Sequence, residues 1–372
     1  MHPSTVSLMT RLMQSLGILS GVVLSILLTV FAVTCTGKAP PTNHTSSYST
    51  GPSASLSPAA ISDTLPLRTL RDVPLSGGAT RFDYQSFDSN TGRLYIAHLG
   101  DGALTIFDAN KETVISDVKN LLRVHGVIAV PELHRIYASA TGSNELAVID
   151  DSTLRIVARV PAGDYPDGIA YASNVKKLYV SDLHGKTDTV IDANTNQRLT
   201  TIVLGGGAGN TQYDSVSEHI FVTVHGQNQL AEIDPTKDQV VARYALAGCS
   251  EPHGLLIDSD HRLAFIACED NAKLAVFDLE AKKMTAIHLV GADPDVLAFD
   301  KGFSRLYVSA ESGIITIFDE RGRALEKVGE GLFAPNAHSV SVDSNTHRVY
   351  FPLQNVAGKP VLRIAVPSDK QL

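Results

Sequence analysis

From residue 65 onward, short apolar runs alternate with polar turns, and the alternation recurs with a long period. Apolar residues followed by an aromatic mark it: Leu94-Tyr95, Ile136-Tyr137, Leu178-Tyr179, Ile220-Phe221, Ala264-Phe265, Leu306-Tyr307 and Val349-Tyr350. Successive aromatics lie 42, 42, 42, 44, 42 and 43 residues apart. About 13 residues after each of the first six, an apolar residue is closed by aspartate: Phe107-Asp108, Ile149-Asp150, Ile191-Asp192, Ile233-Asp234, Phe277-Asp278 and Phe318-Asp319. The seventh copy ends in Arg363-Ile364-Ala365-Val366 and lacks the aspartate. Each period holds four runs of strand composition, for example 168–172, 177–181, 189–192 and 198–204, separated by turn residues such as Ser173-Asn174. No segment after residue 65 carries the 3.6-residue periodicity of a helix.

Four strands per period of about 43 residues is the signature of a β-propeller blade. The sequence therefore predicts an all-β fold over residues 65–372, a seven-bladed β-propeller of four-stranded blades. Residues 70–75 match an outermost strand, as 156–160 do, but precede the first complete blade. The last blade runs out near Val366, after its third strand. The N-terminal strand is expected to supply the missing outer strand of blade seven, so that the ring has no open edge.

The strings Lys177-Leu178-Tyr179-Val180-Ser181, Arg305-Leu306-Tyr307-Val308-Ser309 and Pro166-Asp167-Gly168-Ile169-Ala170 are similar to the YVTN repeat. Over about residues 65–366 the chain resembles exported YVTN/YncE-type seven-bladed propellers. The resemblance implies the fold. It implies no single activity, because such propellers include binding modules, surface proteins and enzyme-like relatives.

The repeats supply an internal control, since a residue type present in every blade is explained by the fold. The Tyr/Phe series is expected to pack between blades, and the aspartate after strand three to accept backbone N–H bonds in the next turn. The position twelve residues before each aromatic is different. It begins the innermost strand and reads Asp83, His125, Asp167, Gly209, His253, Asp295 and His338. Strand formation does not ask for aspartate or histidine, so these residues are expected to ring the mouth of the central channel. The end of strand two returns to the same face with His98, Asp101, Asp182, His184, His225, Glu269, Asp270 and Glu311. His134, His219, His261 and His347 fall in turns on the opposite face and read as solvated.

Imidazole and carboxylate are ordinary ligands of divalent metals. An adjacent pair also serves as base and orienting group in catalysis, and a wet channel mouth tolerates polar residues with no role at all. The ligand-binding candidates are Asp83, His98, His125, Asp167, Asp182, His184, His225, His253, Asp295 and His338, with His125, His253 and His338 as metal candidates. Histidine ligation would weaken below about pH 6.5, where imidazole protonates. Gly205-Gly206-Gly207-Ala208-Gly209 breaks the ring and reads as a close turn widening the mouth. Cys249 and Cys268 flank the same end of blade five, which leaves a disulfide and two free thiols both open.

The N-terminal region has another character. Residues 16–33 are apolar with small polar breaks, follow Arg11, and run into Ala32-Val33-Thr34-Cys35. This resembles a bacterial lipobox, with threonine where a smaller residue is usual, and implies a lipidated Cys35; an uncleaved anchor or a simple cleaved signal are the alternatives. Each puts the rest outside the cytoplasm and 1–35 outside the folded domain. Residues 36–64 are rich in Ser, Thr and Pro and read as a disordered tether reaching on the order of 30 Å. Composition adds exclusions. With 31 Lys plus Arg against 39 Asp plus Glu, the net charge of −8 argues against a nucleic-acid partner. There is no Trp and no CxxCH haem motif. The expectation is a membrane-anchored envelope propeller, periplasmic or on the cell surface, binding a small ligand, a divalent metal or a protein through the channel-mouth face. The alternative is a lactonase- or lyase-like metal-dependent enzyme.

Overall fold

A computed structural model describes residues 65–370. The export segment, the tether and Cys35 lie outside the described residues. Seven antiparallel sheets of four strands follow one another along the chain. Blades one to six span 85–119, 124–161, 166–203, 208–245, 252–289 and 294–332. Blade seven takes three strands from 341–367 and its outermost strand from the N-terminal side, Leu67–Pro74. That strand pairs antiparallel with Lys359–Pro367, from Leu67↔Pro367 to Pro74↔Val361. A bidentate bond from Arg363 to Asp72 reinforces the closure, at 2.7 Å for each arm. Among the described residues the helical segments are four single 3-10 turns.

The core lies between blades, because each sheet buries both faces. One apolar cluster joins Tyr137 and Leu146 of blade two to Ile169 and Leu178 of blade three, and the pattern recurs around the ring. The repeated aromatics Tyr95, Tyr137, Tyr179, Phe221, Phe265, Tyr307 and Tyr350 are all buried. Five of the six aspartates after strand three cap turns as expected, Asp192 Oδ1 accepting the N–H groups of Asn194 and Thr195 at 2.9 and 2.8 Å, whereas Asp319 takes Arg305 and Lys370 instead.

The hub is held by hydroxyls two residues after the aromatic. Ser139 Oγ accepts the Gly126 N–H at 2.7 Å in its own blade and donates to the Asp167 carbonyl of the next blade at 2.7 Å. Thr223 likewise accepts from Asn210 N–H and donates to the His253 carbonyl, at 3.0 and 2.7 Å. Adjacent inner strands approach so closely that a Cβ on Gly254 would fall 1.9 Å from the Asp295 carbonyl oxygen. The expected widening at Gly209 does not occur, for the same reason. A Cβ there would sit 2.5 Å from Thr223 Oγ1 and 3.0 Å from His253 Cα, so this glycine permits close blade packing. Cys249 and Cys268 form a disulfide, with Cα atoms 5.3 Å apart.

Candidate functional site at the channel mouth

Hydroxyls clamp the backbone of three ring residues, with Ser139, Thr223 and Ser339 donating to the carbonyls of Asp167, His253 and Asp83. Asp83, His125, Asp167, His253 and Asp295 all line one cavity of about 340 Å³, with Arg81, Tyr84, Tyr165, Leu183, His225, Glu269, Asp293 and Glu311. Tyr84 and Asp295 also line a second cavity of about 440 Å³ along the lower channel, so they stand at the boundary between the two. The buried Tyr84 hydroxyl has no hydrogen-bond partner.

A chain of four polar groups crosses one side of the mouth. His253 Nε2 lies 3.3 Å from Asp167 Oδ2 and its Nδ1 lies 2.9 Å from His225 Nε2. His225 Nδ1 continues to Glu251 Oε2 at 3.2 Å, and Glu269 Oε1 approaches His253 Nδ1 at 3.7 Å. Burial opposes charge on His253, but Glu269, Asp167 and Asp295 outweigh it and raise its pKa to about 10. Burial and the charged His253 push His225 down to about 3. His253 is therefore an imidazolium donating from both nitrogens, and His225 is neutral. Burial also opposes ionisation of Asp167, but the bond and charge of His253 hold its carboxyl below the usual range. Asp167 lines the cavity, and its buried Oδ1 has no hydrogen-bond partner.

Arg81 spans the other side. Its guanidinium reaches Asp83 at 3.3 Å, Asp295 at 3.8 Å and Glu311 at 2.5 Å. Even so, six carboxyl groups face one guanidinium and the His253 imidazolium across the cavity. Burial followed by the charge of Asp83 pushes Asp295 well up, and burial raises Glu269 and Asp293.

The remaining sequence candidates do other work. His98 is buried, stacks on Phe82 at 4.1 Å and meets Thr80 Oγ1 at 2.9 Å. Asp182 accepts the Gly163 N–H and the hydroxyls of Thr187 and Thr189 at 2.8, 2.8 and 2.7 Å, which anchors a turn. His184 is exposed and leans on Tyr165 at 4.4 Å. His338 places both ring nitrogens 3.1 Å from backbone carbonyls of Asn336 and Phe82, so neither is free to ligate. The three metal candidates do not share a coordination set. His253 groups with His225 and Glu269, His338 with Asp295 and Glu311, and His125 with neither. His125 instead bonds the Arg123 carbonyl at 2.8 Å and the Tyr165 hydroxyl at 3.1 Å.

Reading by repeat missed Arg81 and Tyr165, which lie outside the aligned position, and Tyr84, which follows Asp83 within it. The turn histidines are also not simply solvated. His219 bonds Glu232 at 2.7 Å, and His347 bonds Asp300 at 2.8 Å and stacks on Phe303.

These charges make stability depend on pH. The folded pKa of His253 lies above the ordinary 6.5, so its stabilisation is complete below about pH 6.5 and is lost as pH rises toward about 10. That of His225 lies below 6.5, so stability is lost as pH falls toward about 3. The raised carboxyls of Asp295, Glu269 and Asp293 favour the fold where they are protonated, so their contribution is lost as pH rises from about 4 through their folded pKa values. The melting temperature is expected to fall between pH 6.5 and 10, and to fall less in His253→Gln. Equal slopes in the two proteins would contradict the charge assignment.

No family model matches the sequence, and no curated protein matches it. Among solved structures, hydrazine synthase of Kuenenia stuttgartiensis has a similar fold, with a TM-score of 0.65 and 15% identity, covering 75% of this chain and 94% of that one. At that identity the likeness carries the propeller fold alone.

Proposed function

We propose that the propeller is a binding module whose channel mouth holds a small organic cation, such as an amine. The observation that carries the reading is the excess of carboxyl groups over cations in the lining, six against Arg81 and His253, with Asp167 among them and its buried Oδ1 unpartnered. A cavity of about 340 Å³ suits a small molecule better than a bare ion. Tyr165 offers an aromatic surface for an ammonium group. A metal on His225, His253 and Glu269 is disfavoured near neutral pH, because the proton on His253 must first leave.

On this reading the protein belongs with the exported YVTN/YncE-type propellers and stands outside the cytoplasm, anchored through Cys35 and residues 36–64. The apolar run at 16–33, the Tyr-Val-Ser strings and the disulfide support that placement.

Calorimetry with a panel of alkyl mono- and diamines, alongside divalent metal salts, tests the proposal. Saturable amine binding is expected, weakened roughly tenfold or more in Asp167→Asn combined with Glu269→Gln, since a charge-assisted hydrogen bond contributes about 1.5–3 kcal/mol. The absence of saturable amine binding, whether or not a metal binds at the mouth, would refute it. One observation favours a second reading, acid–base catalysis. The ring nitrogens of His253 and His225 are 2.9 Å apart beside the cavity, and their surroundings push the two pKa values in opposite directions, an arrangement that acid–base pairs also use. A lactonase screen with and without EDTA, repeated on His253→Ala, separates an enzyme from a binder.

A further inference from the structure

The face opposite the mouth carries a second cluster, independent of the first. Asp258 ends the innermost strand of blade five, His261 sits in the turn that follows, and Glu320 lies near the end of the third strand of blade six. His261 Nδ1 is 2.8 Å from Asp258 Oδ2 and 3.1 Å from Glu320 Oε2. The three donor atoms lie within 4.8 Å of one another. Both carboxylate side chains are almost completely buried, at 1% and 0% exposure, while the imidazole is 43% exposed. Neither oxygen of Glu320 has a hydrogen-bond donor.

Comparison among the blades shows that the fold does not require this arrangement. The residue after the strand-three aspartate is buried Ala109, Ala193, Pro235 and Leu279 in blades one, three, four and five and half-buried Asp151 in blade two, whereas blade six buries a carboxylate there, Glu320. Other inner-strand aspartates are matched by a cation or several donors. Asp214 receives Arg262 and the hydroxyls of Ser217 and Ser259, and Asp300 receives His347 and the Gly302 N–H. At Asp258 the donors are His261 and the Asp260 N–H, and a second carboxylate is pressed against it. The nearby cations are committed elsewhere, Arg262 to Asp214, Arg323 to Asp278 and Lys301 to Asp260. Burying an unpaired carboxylate is costly unless a cation compensates it.

We propose that Asp258, His261 and Glu320 form a metal site that clamps blade five to blade six on the lower face. Two ligand atoms bound at about 2.1 Å to one ion stand about 3.0–3.4 Å apart, close to the separations seen here. One nitrogen and two carboxylate oxygens suit zinc, manganese or ferrous iron. The exposed imidazole edge leaves a route for entry and room for water as a further ligand.

The test uses the protein carrying Asp167→Asn and Glu269→Gln, so that the mouth does not contribute. Titration with zinc and with manganese is expected to show one equivalent bound, and His261→Ala is expected to weaken it at least tenfold. Glu320→Leu, which installs the side chain found at Leu279, controls for folding. It is expected to fold, to lose the metal, and to melt at a temperature unaffected by EDTA, whereas EDTA lowers the melting temperature of the metal-loaded parent. Unchanged binding in both variants, or no metal bound in the parent background, would overturn the proposal; the latter would mean that a proton shared between Asp258 and Glu320 is the only compensation.

Discussion

A chain that begins at residue 77, without the closing strand, is expected to lose the cooperative melting of the same protein begun at residue 65. The strand Leu67–Pro74 pairs with Val361–Pro367, and without it that strand becomes an open edge. Apolar burial is lost as well. Leu65 and Leu67 pack on the cluster that contains Leu353 and Val361, while Val73 and Leu75 pack on that of Leu362 and Ile364. At roughly 1.5 kcal/mol for each of four such side chains, the loss approaches the total stability of many domains. Light scattering and thermal melting of the two chains provide the measurement, and a peptide of residues 65–76 added in trans is expected to restore part of the transition. Equal melting temperatures for the two chains would show that closure contributes little.

The second large effect is expected at Arg305, whose side chain is fully buried. Its guanidinium donates to Asp319 at 2.8 Å and, through both outer nitrogens, to Asp369 at 2.7 Å. The segment after the final strand is thereby pinned to blade six. Arg305→Ala removes the cation and leaves Asp319 deep in the sheet with Lys370 as its remaining partner at 2.8 Å. Breaking a buried pair from one side costs about 3–5 kcal/mol, and the surviving lysine places the expectation near the lower figure. Arg305→Met fills the space without the charge but still strands Asp319, so it is expected to recover only the packing share. Denaturant midpoints decide the matter: a loss below about 1 kcal/mol for Arg305→Ala would mean that the network is not stabilising.

Periodicity made the architecture readable. Seven aromatics at nearly constant spacing fixed the number of blades, and one register shift located the ring that includes Asp83, Asp167 and His253. It could not tell which way a side chain turns once it reaches the mouth. His338 occupies the same register position as His253, yet bends its ring onto the Phe82 carbonyl of the neighbouring blade. Asp182 ends the same strand as Tyr179 but turns back to Thr187 and Thr189. Arg81 was invisible because its importance comes from reaching blade six, a long-range contact that no local spacing encodes. Glu320 offered a weak signal in advance, a charge where four other blades place alanine, proline or leucine, although blade two carries Asp151 at the same position.

The ring closure also bears on how the molecule is made. Asp72 and its partner Arg363 are 291 residues apart, so the first strand to be synthesised finds its place last. At translation rates of 5–20 residues per second the wait is on the order of 15–60 s. Throughout that interval Leu67–Pro74 is a lone strand, and its sequence, Leu-Arg-Thr-Leu-Arg-Asp-Val-Pro, suits the delay. Two arginines, an aspartate and a terminal proline discourage it from pairing with a stranger before its own partner is made.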